Sequence, residues 1–284
     1  MYWSLNAGAI GIRAPLPEVI TLARRHGFAG VDFSIDEAAQ LAAQHGVDGV
    51  RRLLTENNVR PSVWGLPVDW RGDRAKWEAD LAALPRKAEL AVALGSLRTV
   101  TWMPPSSDDR PYEENFRWHV ERFRPIAEVL KPYGIRFGIE FIGPKTLVRA
   151  RKYPFIHTLD GLFDLIRAIG TGNVGVLFDS WHWYTSGGTI ADFDRLRNED
   201  VVHVHLNDAP AGVPVDEQID NVRCLPGETG VIDLTGFLHG LRRIGYDGPV
   251  AVEPFNQRVR ELPADEAARV TAESLRKVWT AAGL

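Results

Sequence analysis

The strongest constraint in this sequence is an alternation. Eight short apolar segments fit for strands, residues 1–6, 30–33, 60–65, 98–102, 136–140, 174–179, 201–206 and 249–253, are separated by stretches with helical spacing. Those stretches predict helices over 16–26, 35–57 with a break near Gly46, 75–94, 116–133, 159–169 and 234–244. Gly27, Gly95, Gly134 and Gly245 stand where such helices stop and hand back to the next strand. Eight successive strand–helix units point to α/β architecture, a closed parallel (β/α)8 TIM barrel. An open doubly wound sheet calls for a glycine-rich fingerprint after the first strand, and AGAIGIR (residues 7–13) is too loose for one. With 284 residues, 45% of them hydrophobic, the chain is long enough for one such barrel, so a single domain over 1–284 is expected.

Composition narrows the function. A formal net charge of −4 leaves no basic footprint for a polyanion, so nucleic acid is disfavoured as a partner. The single cysteine, Cys224, rules out a disulfide framework or a thiolate zinc cluster and suits a reducing compartment. MYWSLNAGAIGIR at the start has no basic region ahead of a long apolar core, and no window approaches a membrane span. The expectation is a cytoplasmic protein with no membrane partner. A homo-oligomer is left open.

Residues 174–184, VGVLFDSWHWY, run a strand buried on both faces into two chemically useful groups, Asp179 and His182. Asp179 sits at the C-terminal lip, where barrels of this kind build their sites. Three other strands end alike: Glu140 closes the fifth, His205 lies near the end of the seventh, and Glu253 closes the eighth. Two Glu, one Asp and one imidazole on one rim form an oxygen-rich site for one divalent ion, Mn²⁺, Mg²⁺ or Co²⁺, with Zn²⁺ also compatible. His203 and His205 point to the same face of their strand, and the one nearer the rim, His205, is taken as the ligand. His203 is left as a barrel-layer residue or a donor behind the ligands. Asp208 in the following loop is either a turn residue or a group that orients an imidazole or touches substrate.

The segments EFIGP (140–144), FDSWH (178–182), HVHLND (203–208), LPGETGVID (225–233) and GYDGPVAVEPF (245–255) resemble the xylose-isomerase-like TIM barrels. That superfamily holds sugar and inosose isomerases, ketose 3-epimerases, hydroxypyruvate isomerase and endonuclease IV. The resemblance implies that Glu140, Asp179, His205 and Glu253 hold the metal. It also implies that Glu140 and Glu253 move protons and that His182 binds a substrate oxygen. Endonuclease IV relatives carry further histidines after strands three and four and before the glycine–glutamate turn. Here those places read WGLP (64–67), WMPP (102–105) and NVR (221–223), so a trinuclear phosphodiesterase site cannot be assembled.

The expected chemistry is metal-assisted isomerisation or epimerisation of a small sugar or cyclitol ketone through an enediolate, with the two glutamates as acid and base. Loss of a β-hydroxyl would make the same site a dehydratase. Three carboxylates against one divalent ion leave the site at about −1, which favours a neutral polyol over a phosphate. Substrate contacts are expected from His182, Arg223, Trp102 and Asn6. Trp64, Trp181 and Trp183 also fall at or near strand ends, where flat rings can wall a pocket. Lys145, Arg149, Arg151 and Lys152 read as a solvated basic loop.

Overall fold

The eight strand segments close into one parallel barrel in the computed structural model, which describes residues 1–284. Strands β1 (Tyr2–Leu5), β2 (Gly30–Phe33), β3 (Arg60–Gly65), β4 (Arg98–Met103), β5 (Arg136–Phe141), β6 (Val174–Asp179), β7 (Val201–Leu206) and β8 (Pro249–Val252) follow in chain order around it. β1 pairs with both β2 and β8 and so closes the ring. Every residue of β7 is buried, as a strand covered by helices outside and packed side chains inside must be.

The helices form where periodicity and end signals agree. In α1 (Leu16–His26), Leu16, Val19, Ile20 and Ala23 share the buried face, and Gly27 ends the helix at φ 83°. α2 (Ile35–Glu56) starts on the Ser34 hydroxyl, which accepts the Glu37 N–H, and kinks at Gly46. α3 (Arg74–Leu94) starts on Asp73, and α5 (Leu159–Ile169) starts on Thr158. α4 (Tyr112–Leu130) begins four residues ahead of the predicted start, behind Pro111, and passes into a 3-10 turn over Lys131–Tyr133.

Among the elements that go beyond the sequence expectations, two helices bear on the site and the barrel. The segment after β6 is a short helix, α6 (Ser180–Thr185), because the Asp179 carboxylate accepts the Trp181 N–H at 2.7 Å and caps it. After α7 (Leu234–Arg243), a C-terminal helix, α8 (Ala264–Ala281), packs against α1 and α7 and completes the eighth unit. Register does the rest of the positioning: Trp102 lies beside Glu140 across β4 and β5, and Asp179 beside His205 across β6 and β7.

Candidate metal centre

Glu140, Asp179, His205 and Glu253 each offer one ligand atom, and these four atoms all lie within 4.8 Å of one another. His205 Nδ1 is 3.5 Å from Glu140 Oε1, 3.4 Å from Glu253 Oε2 and 3.8 Å from Asp179 Oδ2. Donors held by one ion at roughly 2.1 Å are at most about 4.2 Å apart, so the three spacings from His205 Nδ1 suit a single divalent ion. Buried polar atoms normally find a partner. Glu140 Oε1 and His205 Nδ1 are buried and have none. The donor set therefore fits the group that the residue types suggest.

Electrostatics reinforces the fit. Burial pushes the Glu140 carboxyl up to about 8. Burial also opposes charge on Glu253 and His205, yet each supports the other: the imidazole holds the Glu253 carboxyl below its ordinary range, and the carboxylates hold His205 well above its own. Without a cation, the centre keeps protons among its carboxylates and imidazole.

Around the four donors lies a frame of hydrogen bonds. Arg223 Nη1 donates to Asp179 Oδ2 at 2.9 Å and Glu253 Oε2 at 3.3 Å, while Nη2 donates to Asp220 Oδ1 at 2.9 Å. Its guanidinium lies over the rings of Trp181 and Phe255, 5.3 and 4.6 Å from their centroids. Asn207 Nδ2 donates to both Asp179 oxygens at 3.0 and 3.1 Å, and its Oδ1 accepts the Glu253 N–H at 3.0 Å. One amide thus ties the end of β6 to the end of β8.

The remaining expected residues separate clearly. His182, on α6, is buried beside the donors, with Nε2 3.9 Å from Glu140 Oε1 and from Asp220 Oδ1. Trp102 is 45% exposed and lines the cavities that open on the centre. Asn6 lines one of them together with Glu140, His205 and Glu253, its Oδ1 accepting the Ala9 N–H at 3.3 Å. Trp64 and Trp181 are wholly buried, and Trp183 packs on Phe193 and Phe237, so none of the three lines these cavities. They close the core. Lys145 and Arg149 pair with Asp216 on the surface, whereas Arg151 lines the cavity that holds His182.

Asp208 proves to be a loop anchor: its carboxylate accepts the N–H groups of Ala209, Thr229, Gly230 and Ile232. Three residues absent from the sequence expectations also belong to the site. Asp220 pairs with Arg223, Asn207 bridges two ligands, and Asp32 accepts from Ser4 Oγ at 2.6 Å and meets His203 Nε2 at 3.0 Å. Of these, Asp32 had a sequence signal, a carboxylate inside the short apolar strand GVDF.

A closed parallel barrel with three carboxylates and an imidazole converging at its C-terminal lip defines a class of metal-compatible α/β barrel. The chain belongs to the xylose isomerase-like TIM barrel family, which matches residues 20–278. It is 22% identical over 266 residues to an inosose isomerase of Bacillus velezensis, covering 93% of this chain and 91% of the relative. A 3-dehydroshikimate dehydratase of Pseudomonas aeruginosa is 27% identical over 260 residues, which are 91% of this chain and 39% of that protein. Among solved structures, a xylose isomerase domain protein of Alicyclobacillus acidocaldarius is 32% identical over all of both chains, with a TM-score of 0.87. The IOLI protein with a bound zinc atom shares the fold at 20% identity, 99% coverage of both chains and a TM-score of 0.81.

Proposed function

We propose that this protein is a divalent-metal-dependent isomerase or epimerase of a small polyhydroxy ketone, a sugar or a cyclitol. The observation that carries the reading is the convergence of the Glu140, Asp179, His205 and Glu253 ligand atoms within 4.8 Å, at a point open to cavities. The inosose isomerase relatives and the zinc in the IOLI structure support it.

Glu140, Asp179, His205 and Glu253 would hold the ion. A divalent ion polarises the carbonyl of a bound ketone and acidifies the neighbouring C–H. Glu140 and Glu253 approach His205 Nδ1 from β5 and β8, so one carboxylate can take the proton from a substrate carbon while the other returns one from a different side. His182 donates from Nε2 to a substrate oxygen. Arg223 keeps Asp179 and Glu253 in place through two hydrogen bonds and balances part of their charge.

Incubating the metal-loaded protein with an inosose or D-fructose in D₂O tests this reading. Deuterium should enter at the carbon beside the carbonyl, and both Glu140→Gln and Glu253→Gln should slow its entry. Failure of both ketones to exchange, across Mn²⁺, Mg²⁺, Co²⁺ and Zn²⁺, would sink the proposal. The dehydratase relative favours a second reading, in which a β-hydroxyl leaves after the same proton is taken. Growth of a conjugated-enone absorbance during the incubation distinguishes it.

A further inference from the structure

Two hydrogen-bond donors meet beside the metal centre without satisfying each other. His182 Nδ1 takes the Gly143 N–H, so its Nε2 carries a proton, and Arg223 Nη2 lies 3.3 Å from that Nε2. A guanidinium nitrogen has no lone pair to offer, so the Nε2–H has no acceptor there. The acceptor stands a little further off. Asp220 Oδ1 lies 2.9 Å from Arg223 Nη2 and 3.9 Å from His182 Nε2, the second spacing too long for a direct bond. Arg223 takes only that oxygen of the carboxylate and leaves Oδ2 without a protein donor.

The three groups line one cavity with Glu140 and Glu253, and the Asp220 side chain is 17% exposed to it. The turn that presents Asp220 is fixed before any ligand arrives. Arg223 Nε donates to the Asp220 carbonyl at 2.8 Å, Gln218 Nε2 donates to the Val213 carbonyl at 3.0 Å, and Thr146 Oγ1 donates to the Gln218 carbonyl at 2.9 Å. The carboxylate is therefore preorganised, and little ordering cost falls on binding. Two donors and one acceptor around a point are the complement of a hydroxyl, which accepts through two lone pairs and donates once. Such an oxygen, about 2.8 Å from each end, closes the gap between His182 and Asp220. A carbonyl or ether oxygen would turn lone pairs on Asp220, and an ammonium would turn protons on two N–H groups. His182 Nε2 is also 3.9 Å from Glu140 Oε1, so the hydroxyl read here is the one nearest the metal donors.

We infer that Asp220 is a specificity-determining residue: with His182 and Arg223 it selects a hydroxyl on the carbon next to the ketone. The inference rests on the reading above, that a ketone is bound at the centre, and adds the group that must flank it. The substrate is an α-hydroxy ketone, and analogues with hydrogen or an amine at that carbon are rejected.

Calorimetric titration of scyllo-inosose, and of its analogue lacking one hydroxyl beside the carbonyl, into the Mn²⁺-loaded protein provides the test. The parent should bind the hydroxylated ketone at least about thirtyfold more tightly, in keeping with hydrogen bonds to charged groups. In Asp220→Ala, at matched metal content, that ratio should shrink at least about tenfold, a coupling of about 1.4 kcal/mol. Asp220→Asn, which keeps an oxygen for Arg223, should shrink it too and serves alone should the alanine variant not fold. If Asp220 only held Arg223, its loss would weaken both ketones alike and leave the ratio unchanged, which overturns the inference. No preference in the parent, or binding of neither ketone, overturns it as well. An Asp220-dependent preference without solvent deuterium exchange leaves this inference standing and removes the isomerase reading. Exchange with a preference that ignores Asp220 does the reverse.

Discussion

Gly143 donates its backbone N–H to His182 Nδ1 over 3.1 Å, which places the proton of the neutral ring on Nε2, where the Arg223 Nη2 donor 3.3 Å away can accept nothing from it. Burial, and then the nearby Arg223 charge, hold His182 well below its ordinary pKa, so the ring stays neutral. A fixed Nε2–H beside Glu140 and Asp220 is a donor to a ligand oxygen. His182→Ala should therefore leave metal content unchanged and raise KM about tenfold, the worth of one hydrogen bond of about 1.4 kcal/mol. Metal analysis and steady-state kinetics on the same preparation check it, and metal loss would assign His182 to the ligand set instead.

The two histidines of β7 should separate in the same assay. His203 Nε2 is engaged by Asp32 at 3.0 Å, whereas His205 Nδ1 is buried with no partner among three carboxylates. His205→Ala should weaken metal binding at least about tenfold, in line with the loss of an ion ligand, and His203→Ala should do so much less. Competitive titration with a chelator gives both constants. The opposite order would make His203 the ligand.

How far these residues could be read without coordinates follows from what kind of fact each one is. Glu140 and Asp179 stand out because an apolar run ends on a charge, and a strand's end in a parallel barrel has only one rim to face. The two-residue period of a strand puts His203 and His205 on one face, and the choice of His205 follows from its place nearer the C-terminal rim. Asn207 and Asp220 carry no such mark. Their roles come from loops that meet only when β6, β7 and β8 are side by side, a relationship no spacing encodes. The tryptophans mislead for a related reason: Trp102 and Trp181 both stand at a strand end, but only packing decides that the first is exposed and the second enclosed. Helix α6 depends on a single capping bond from Asp179, a residue whose rim position already suggested another duty.

Asp208 should matter for stability although it is no metal donor. Its two oxygens accept four backbone N–H groups, pinning the loop that runs from Arg223 to Ile232, and Cys224 bonds its backbone in both directions. Asp208→Ala strands those donors and should cost about 3 kcal/mol or more, lowering Tm by about 6–12 °C. Asp208→Asn should recover only part of this, because its amide nitrogen would face two N–H donors. Thermal unfolding measures the effect, and a Tm unchanged in the alanine variant would show that the loop is held by other contacts.

Acid sensitivity should arise from a histidine outside the site. His119 is buried on α4, stacked on Phe155 with ring centroids 4.6 Å apart. Nδ1 lies 2.7 Å from the Asn115 carbonyl, and Nε2 has no partner. Burial pushes its pKa down to about 4 from its ordinary value of 6.5. The unfolded chain therefore binds a proton that the folded chain refuses between those values, so stability is full above about pH 6.5 and falls as the pH drops toward 4. Between pH 7 and pH 5 this single group should remove about 2 kcal/mol of folding stability, from 1.36 kcal/mol per pH unit over most of the interval. His119→Phe keeps a ring in the aromatic cluster of Trp70, Phe123 and Phe155 and has nothing to protonate. Urea unfolding of both proteins at pH 7 and pH 5 should show the variant losing about 2 kcal/mol less than the parent over that step. Equal losses in the two proteins would place the acid sensitivity elsewhere, among the carboxylates and imidazole of the metal centre.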